Sequence, residues 1–335
     1  MIRKSMISNI NPFLLKACGK DYIWGGDRLN EDFGKNIDLS PLAETWECST
    51  HPDGESLVAS GKFKGETLTH VIKMHPEILG THPKTKGELP ILIKFIDAKK
   101  DLSVQVHPND EYAYKMENKS LGKTEMWYVL DAKINAKIIY GFIQTMDKDL
   151  LRESIKNGSV EKYLQKVTVK KDDVFYIEAG KVHAIGAGTL IAEIQENSNL
   201  TYRMYDYNRI GNDGKLRELH IEKAIDVACL KGQDRVNQPM RVLQYTKSSA
   251  SEILCKCEYF QVERLLINTE RNNNLYEFST DSTTFQVLLC LNGCGTMIDD
   301  IEDTIMFGKG DCIFIPANSN KIKIHATARL LRVKC

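Results

Sequence analysis

The chain repeats itself. Residues 171–185, KDDVFYIEAGKVHAI, align with residues 309–323, KGDCIFIPANSNKIK: Lys171 falls on Lys309, Asp173 on Asp311, Ile177 on Ile315 and Ala179 on Ala317. Each copy reads as an acidic turn, an apolar strand, a small-residue turn and a second strand. A strand pair of this kind cannot bury its apolar face or its edges alone. Two copies therefore predict two β-lobes, each closed as a barrel or jelly roll. The copies differ at one place that matters. His183 in the first is replaced by Lys321 in the second, so a metal site is expected in the first lobe and not in the second.

The rest of the chain agrees with a mainly β fold carrying inserted helices. LPILIKFIDA (89–98), LSVQVH, EMWYVLDA, AKIIYGF, DVFYIEA and TLIAEIQE are rich in Ile, Val, Tyr and Phe and are bounded by Gly, Asp, Asn or Pro. Helical spacing is expected over 147–167, split at Gly158, over 218–230, and over 66–80 with a stop near Pro76. Blocks of helix among strands do not make the regular alternation of a doubly wound sheet. A chain of 335 residues exceeds one small core. We place a metal-binding first domain at 1–235 and a second barrel without the metal site at 236–335, with the junction near Arg235–Pro239.

Charge narrows the partners. Lys plus Arg and Asp plus Glu are both 45, so the net charge is zero, which argues against bulk binding to nucleic acid or an anionic membrane. No run approaches the ~20 apolar residues of a membrane span, and MIRKSMISNINPFLL lacks the apolar stretch of a signal peptide. A cytoplasmic location is expected, in keeping with nine cysteines in no regular framework.

The chemistry concentrates in LSVQVHPND (102–110). Gln105 and His107 are two apart and share one face of a strand, ahead of a turn at Pro108. An amide oxygen and an imidazole nitrogen so placed suit half of a divalent metal site. Glu125, among apolar neighbours where a carboxylate needs a partner, and His183 offer the other half. Lys123 is two residues before Glu125 and shares its face. Ser103 is two before Gln105, where it could bind a hydroxyl or a phosphate. Lys94 is a charge inside an apolar strand, a second candidate for phosphate. Arg203, between Tyr202 and Tyr205, is a cation for a phosphate or an oxyanion. Alternation in IAEIQ turns Glu193 inward.

Taken together these motifs resemble the cupin superfamily, and within it the type I phosphomannose isomerases in their short bacterial form. The resemblance rests on YIWGG (22–26), AETWECSTHPDG (43–54), LPILIKFIDA, LSVQVHPND, GKTEMWYVLDA and the long block 177–209 ending YRMYDYNR, in the family's order. It implies one Zn²⁺ per chain, held by Gln105, His107, Glu125 and His183, with Arg203 as the essential arginine. It implies a small sugar phosphate as partner, mannose 6-phosphate interconverting with fructose 6-phosphate. The helical insertion of the long eukaryotic form is missing, since only residues 111–124 separate the two ligand segments. An aldose–ketose isomerisation through an enediol needs a base at carbon and stabilisation of the developing oxyanion. Glu193 and Lys123 are the candidates for proton transfer. An iron-dependent cupin oxygenase and a non-catalytic sugar-binding cupin are the competing readings.

Overall fold

A computed structural model describes residues 10–335 except 83, 85–86, 212–213, 233–235, 237, 272–273 and 300–302. The chain divides into two compact units, and the division is not a single cut. One unit contains 17–54 and 91–240; the other contains the described residues up to Lys16, 55–90 and 241–335. Arg235, where the junction was expected, lies outside the described residues. The beginning of the chain belongs with its end because of strand pairing. Phe13–Lys16 runs antiparallel to Cys312–Ile315, with Phe13 opposite Phe314. The Phe314 ring stacks on Phe13 and on Phe285, at 5.2 Å in each case. Such pairing is non-local, and the order of motifs along the chain gives no sign of it.

The first unit is built of two antiparallel sheets. In spatial order the larger holds Val174–Ile177, Glu125–Ala132, Thr189–Glu196, Ile91–Ala98, Glu44–Cys48 and Cys18–Lys20. The smaller holds Tyr202–Tyr205, Val104–Val106, His183–Ile185, Lys137–Phe142 and Leu164–Thr168. Between them Ile96, Trp127, Val129, Phe175 and Ile191 pack with Ile138 and Ile185. The other face of the smaller sheet is apolar too. Val104, Val106, Ile139, Phe142, Ala184, Tyr202 and Met204 pack against Leu151 and Ile155 of one helix and Ala224 and Ile225 of another. Coverage on both faces explains why these strands read as nearly continuous apolar runs.

The helices are shorter than their spacing suggests. Lys148–Lys156 is capped by Asp147, whose side chain accepts from Leu150 N at 2.7 Å. It stops before Gly158, which has φ +74°. The expected continuation to 167 is replaced by a 3₁₀ turn, Val160–Lys162, and the strand Leu164–Thr168. Leu164 and Val167, three apart, go to opposite faces of that strand, Leu164 towards the helices and Val167 into the core between the sheets, and the edge at Lys137–Phe142 pairs with the segment. The helix expected over 218–230 forms only over Ile221–Val227. In the other unit, Leu68–Met74 is a helix and Pro76–Leu79 a 3₁₀ turn.

The second unit is a ten-stranded antiparallel sheet, built around Gln286–Ile298 and Ile322–Lys334. Its interior is filled by Leu265, Ile267, Leu288, Met297, Ile313, Ile324 and Leu330 among others. The repeat is visible at atomic level. Asp173 Oδ2 accepts from Lys170 N at 2.9 Å, and Asp311 Oδ2 accepts from Gly308 N at 2.8 Å. The same acidic turn opens the same strand in both units. Lys321, standing where His183 stands in the first copy, is exposed and paired with Glu277 at 2.7 Å. The architecture is mainly β, two jelly-roll lobes with inserted helices, as the repeat predicts.

Candidate metal centre

Strand alternation sorts the side chains of the smaller sheet. Val104, Val106, Ala184, Tyr202 and Met204 face the helices, so Gln105, His183 and Arg203 face the interior between the sheets. Gln105 is opposite His183 on one side and opposite Arg203 on the other. His107 follows directly after its strand. Its carbonyl accepts from Gly180 N at 2.8 Å, which ties the QVHP segment to the turn before His183. From the larger sheet, Glu125 shares the inner face with Trp127 and lies opposite Gln195. Glu193 lies opposite both Trp127 and Lys94.

Three of these side chains converge. One ligand atom each from His107, Glu125 and His183 lies within 4.8 Å of the others, and among the described residues no other His, Cys, Asp or Glu group does this. His107 Nε2 is 3.5 Å from Glu125 Oε2, and His183 Nε2 is 3.4 Å from Glu125 Oε1. All three residues are at most 1% exposed. Each imidazole is oriented from behind: His107 Nδ1 is 2.8 Å from the Leu200 carbonyl and His183 Nδ1 2.8 Å from the Lys181 carbonyl. Those carbonyls require the proton on Nδ1 and leave both Nε2 lone pairs aimed at Glu125.

The electrostatics match. Burial, reinforced by Lys123, pushes His107 well below its ordinary pKa. Burial lowers His183 to about 3, against the opposing pull of the Lys181 carbonyl. Both imidazoles are therefore neutral at pH 7. Burial and the neighbouring Glu193 raise Glu125 to about 7. Glu125 Oε1 accepts no hydrogen bond. A buried carboxylate oxygen without a donor, facing two imidazole lone pairs, is a costly arrangement that a divalent cation resolves. Gln105 Nε2 is 3.4 Å from His183 Nε2, and turning the amide over presents its oxygen instead.

The remaining sequence candidates are placed as follows. Lys123 Nζ lies 2.8 Å from Glu125 Oε2 and 3.2 Å from His107 Nε2. Glu193 Oε1 accepts from Trp127 Nε1 at 3.0 Å, and its Oε2 is 3.4 Å from Lys94 Nζ. Burial alone would raise Glu193, but Lys123, Lys94 and the Trp127 indole outweigh it and hold the carboxyl below its ordinary range. Lys94 is buried between two carboxylates, Glu193 and Glu44, the latter 3.6 Å away. Its placement is that of a counterion rather than of a cation waiting for phosphate. Ser103 is buried, immediately before the strand that carries Gln105. Arg203 Nη1 donates to the Glu218 carbonyl at 2.9 Å, and its buried Nε has no partner.

Sequence reasoning missed Glu44 and Trp46. Trp46 Nε1 donates to Glu44 Oε2 at 2.8 Å, and Lys94 Nζ lies 4.9 Å from the centre of the Trp46 ring. The signal was present in ETWEC, where a carboxylate and an indole two apart share one face of a strand. Glu196 was missed as well. Its Oε1 accepts from Thr124 N at 2.7 Å, so it anchors the entry to the strand that carries Glu125.

Known proteins share this arrangement of segments. Residues 13–132 match the catalytic domain of phosphomannose isomerase type I, and residues 251–335 match the cupin domain of mannose-6-phosphate isomerase. The chain is 37% identical over 327 residues to the mannose-6-phosphate isomerase ManA of Bacillus subtilis, a match that spans 96% of this chain and 98% of that one. The chain belongs to the type I phosphomannose isomerase family. A second family member, the mannose-6-phosphate isomerase of Streptococcus mutans, is 43% identical over 216 residues, 64% of this chain and 67% of its own. The crystal structure of the Bacillus subtilis mannose 6-phosphate isomerase aligns with a TM-score of 0.88 at 35% identity, over 97% of this chain and 99% of that one. A mannose 6-phosphate isomerase crystallised with zinc and yttrium shares the fold, with a TM-score of 0.75 at 16% identity over 97% and 99%.

Proposed function

We propose that this member of the type I phosphomannose isomerase family interconverts mannose 6-phosphate and fructose 6-phosphate through an enediol. In this reading one Zn²⁺ is held by His107, Glu125 and His183, with the Gln105 amide oxygen as fourth ligand. The observation that carries it is the pairing of two neutral, backbone-oriented imidazoles with a buried carboxylate whose Oε1 has no donor. Bound Zn²⁺ supplies a Lewis-acidic centre for the sugar oxygens. The protein side chains do the rest. Glu193, kept ionised by its neighbours, is the group that takes the proton from one carbon of the C1–C2 pair and returns it to the other. Lys123 carries a fixed positive charge to the developing oxyanion, and Arg203 adds a second cation on the opposite sheet. Ser103 is placed to bind a substrate hydroxyl. The sugar phosphate is the only partner this reading requires, and neither nucleic acid nor a membrane enters it.

The deciding experiment is a coupled assay that converts mannose 6-phosphate to fructose 6-phosphate. Dialysis against a strong chelator should abolish turnover, and added Zn²⁺ should restore it. A metal-replete protein that leaves mannose 6-phosphate untouched would sink the proposal.

A further inference from the structure

The ion pairs behind the metal centre form a chain through one lysine. Trp46 Nε1 donates to Glu44 Oε2 at 2.8 Å, and Trp127 Nε1 donates to Glu193 Oε1 at 3.0 Å. Both indole-bound carboxylates face one ammonium, Glu193 through its other oxygen and Glu44 through the same Oε2 that the Trp46 indole holds. Lys94 Nζ stands 3.6 Å from Glu44 Oε2 and 3.4 Å from Glu193 Oε2. Glu44, Lys94 and Glu193 are 7%, 3% and 3% exposed, so solvent screening is weak. Both separations exceed the ~2.7–2.9 Å of a tight charge-assisted hydrogen bond. One lysine is therefore divided between two carboxylates and is bound closely by neither.

We infer that Glu44 is a positioning residue for Glu193: by drawing Lys94 towards itself it keeps the Glu193 carboxylate from being tied down by a full ion pair. The inference rests on the reading that Glu193 transfers the proton. A base clamped by an ammonium at close range is a weaker base, since part of its charge is already neutralised. Without Glu44, Lys94 has one partner in place of two and closes on Glu193. The other charged groups bearing on Glu193 come from different elements. Lys123 and Glu125 are on the neighbouring strand segment, and His183 is on the smaller sheet. None of these touches Glu44. On its own side Glu44 lies opposite Lys20, whose ammonium is over the Trp46 ring, 4.7 Å from its centre.

The test is Glu44→Gln, which keeps an acceptor oxygen for the Trp46 indole and removes the charge. We expect kcat to fall by ~10–100-fold, less than the ~10²–10⁴-fold of losing a general base outright, with KM steady to about twofold. Glu44→Asp should recover part of the loss. A second readout needs neither metal nor substrate. Trp127 does not touch Glu44, yet its indole N–H resonance should move in Glu44→Gln, because its acceptor Glu193 acquires a closer cation. A purely structural role for Glu44 would disturb Trp46 alone. Unchanged kcat in a folded Glu44→Gln protein, or a Trp127 resonance that stays in place, overturns the inference. Glu193→Gln separates the two ideas. Retained turnover there removes Glu193 as the base and the positioning role with it. Lost turnover in Glu193→Gln beside normal turnover in Glu44→Gln refutes only the positioning role.

Discussion

Glu196 gives the sharpest physical prediction. Burial, with Asp110 nearby, raises its pKa from the ordinary 4.5 to about 8, while its Oε1 accepts from Thr124 N. A carboxyl raised in the folded state holds its proton there and releases it on unfolding. The stability it contributes is complete below pH 4.5 and is lost as pH climbs through 8. At pH 7 the unfolded chain is favoured by the ionisation of this one group, at roughly 1.4 kcal/mol per pH unit above 4.5, or about 3 kcal/mol in all. Glu196→Gln keeps the oxygen that Thr124 needs and an N–H for Asp110, and it does not ionise. The variant should exceed the parent by under about 1 kcal/mol at pH 5 and by about 3 kcal/mol at pH 7. Urea denaturation of both proteins at several pH values, with the metal content held equal, reads the difference directly. Parallel stability curves for the two proteins from pH 5 to 8 would refute the argument.

Two further outcomes are expected. Arg203→Ala should lower kcat by ~10²–10³-fold, the typical cost of removing one donor to a developing oxyanion, with bound metal unchanged by elemental analysis; full turnover would take Arg203 out of the mechanism. Phe142→Ala, at a fully buried position where the smaller sheet meets its helices, should cost about 3–5 kcal/mol in a denaturation experiment.

Much of the site could be read from local pattern because strand geometry is local. Two residues apart means one face, and that rule by itself grouped Gln105 with His107, Lys123 with Glu125, and Glu193 with Gln195. The repeat around Asp173 and Asp311 foretold the two lobes, since the same turn chemistry starts the same strand twice. Local pattern failed at 159–167. There apolar spacing read as helical, and an available sheet edge decided for strand.

Which strands meet is a different kind of information. The pairing of Phe13–Lys16 with Cys312–Ile315 joins the ends of the chain, and nothing in either segment names its partner. The same holds for Lys94. Its sequence neighbourhood marks it as a charge in an apolar strand and leaves open what balances that charge. Register across the larger sheet sets it opposite Trp46 on one side and Glu193 on the other. A side chain's chemical type and its face are properties of a few consecutive residues, whereas the partner that fixes its charge arrives from a strand far along the chain.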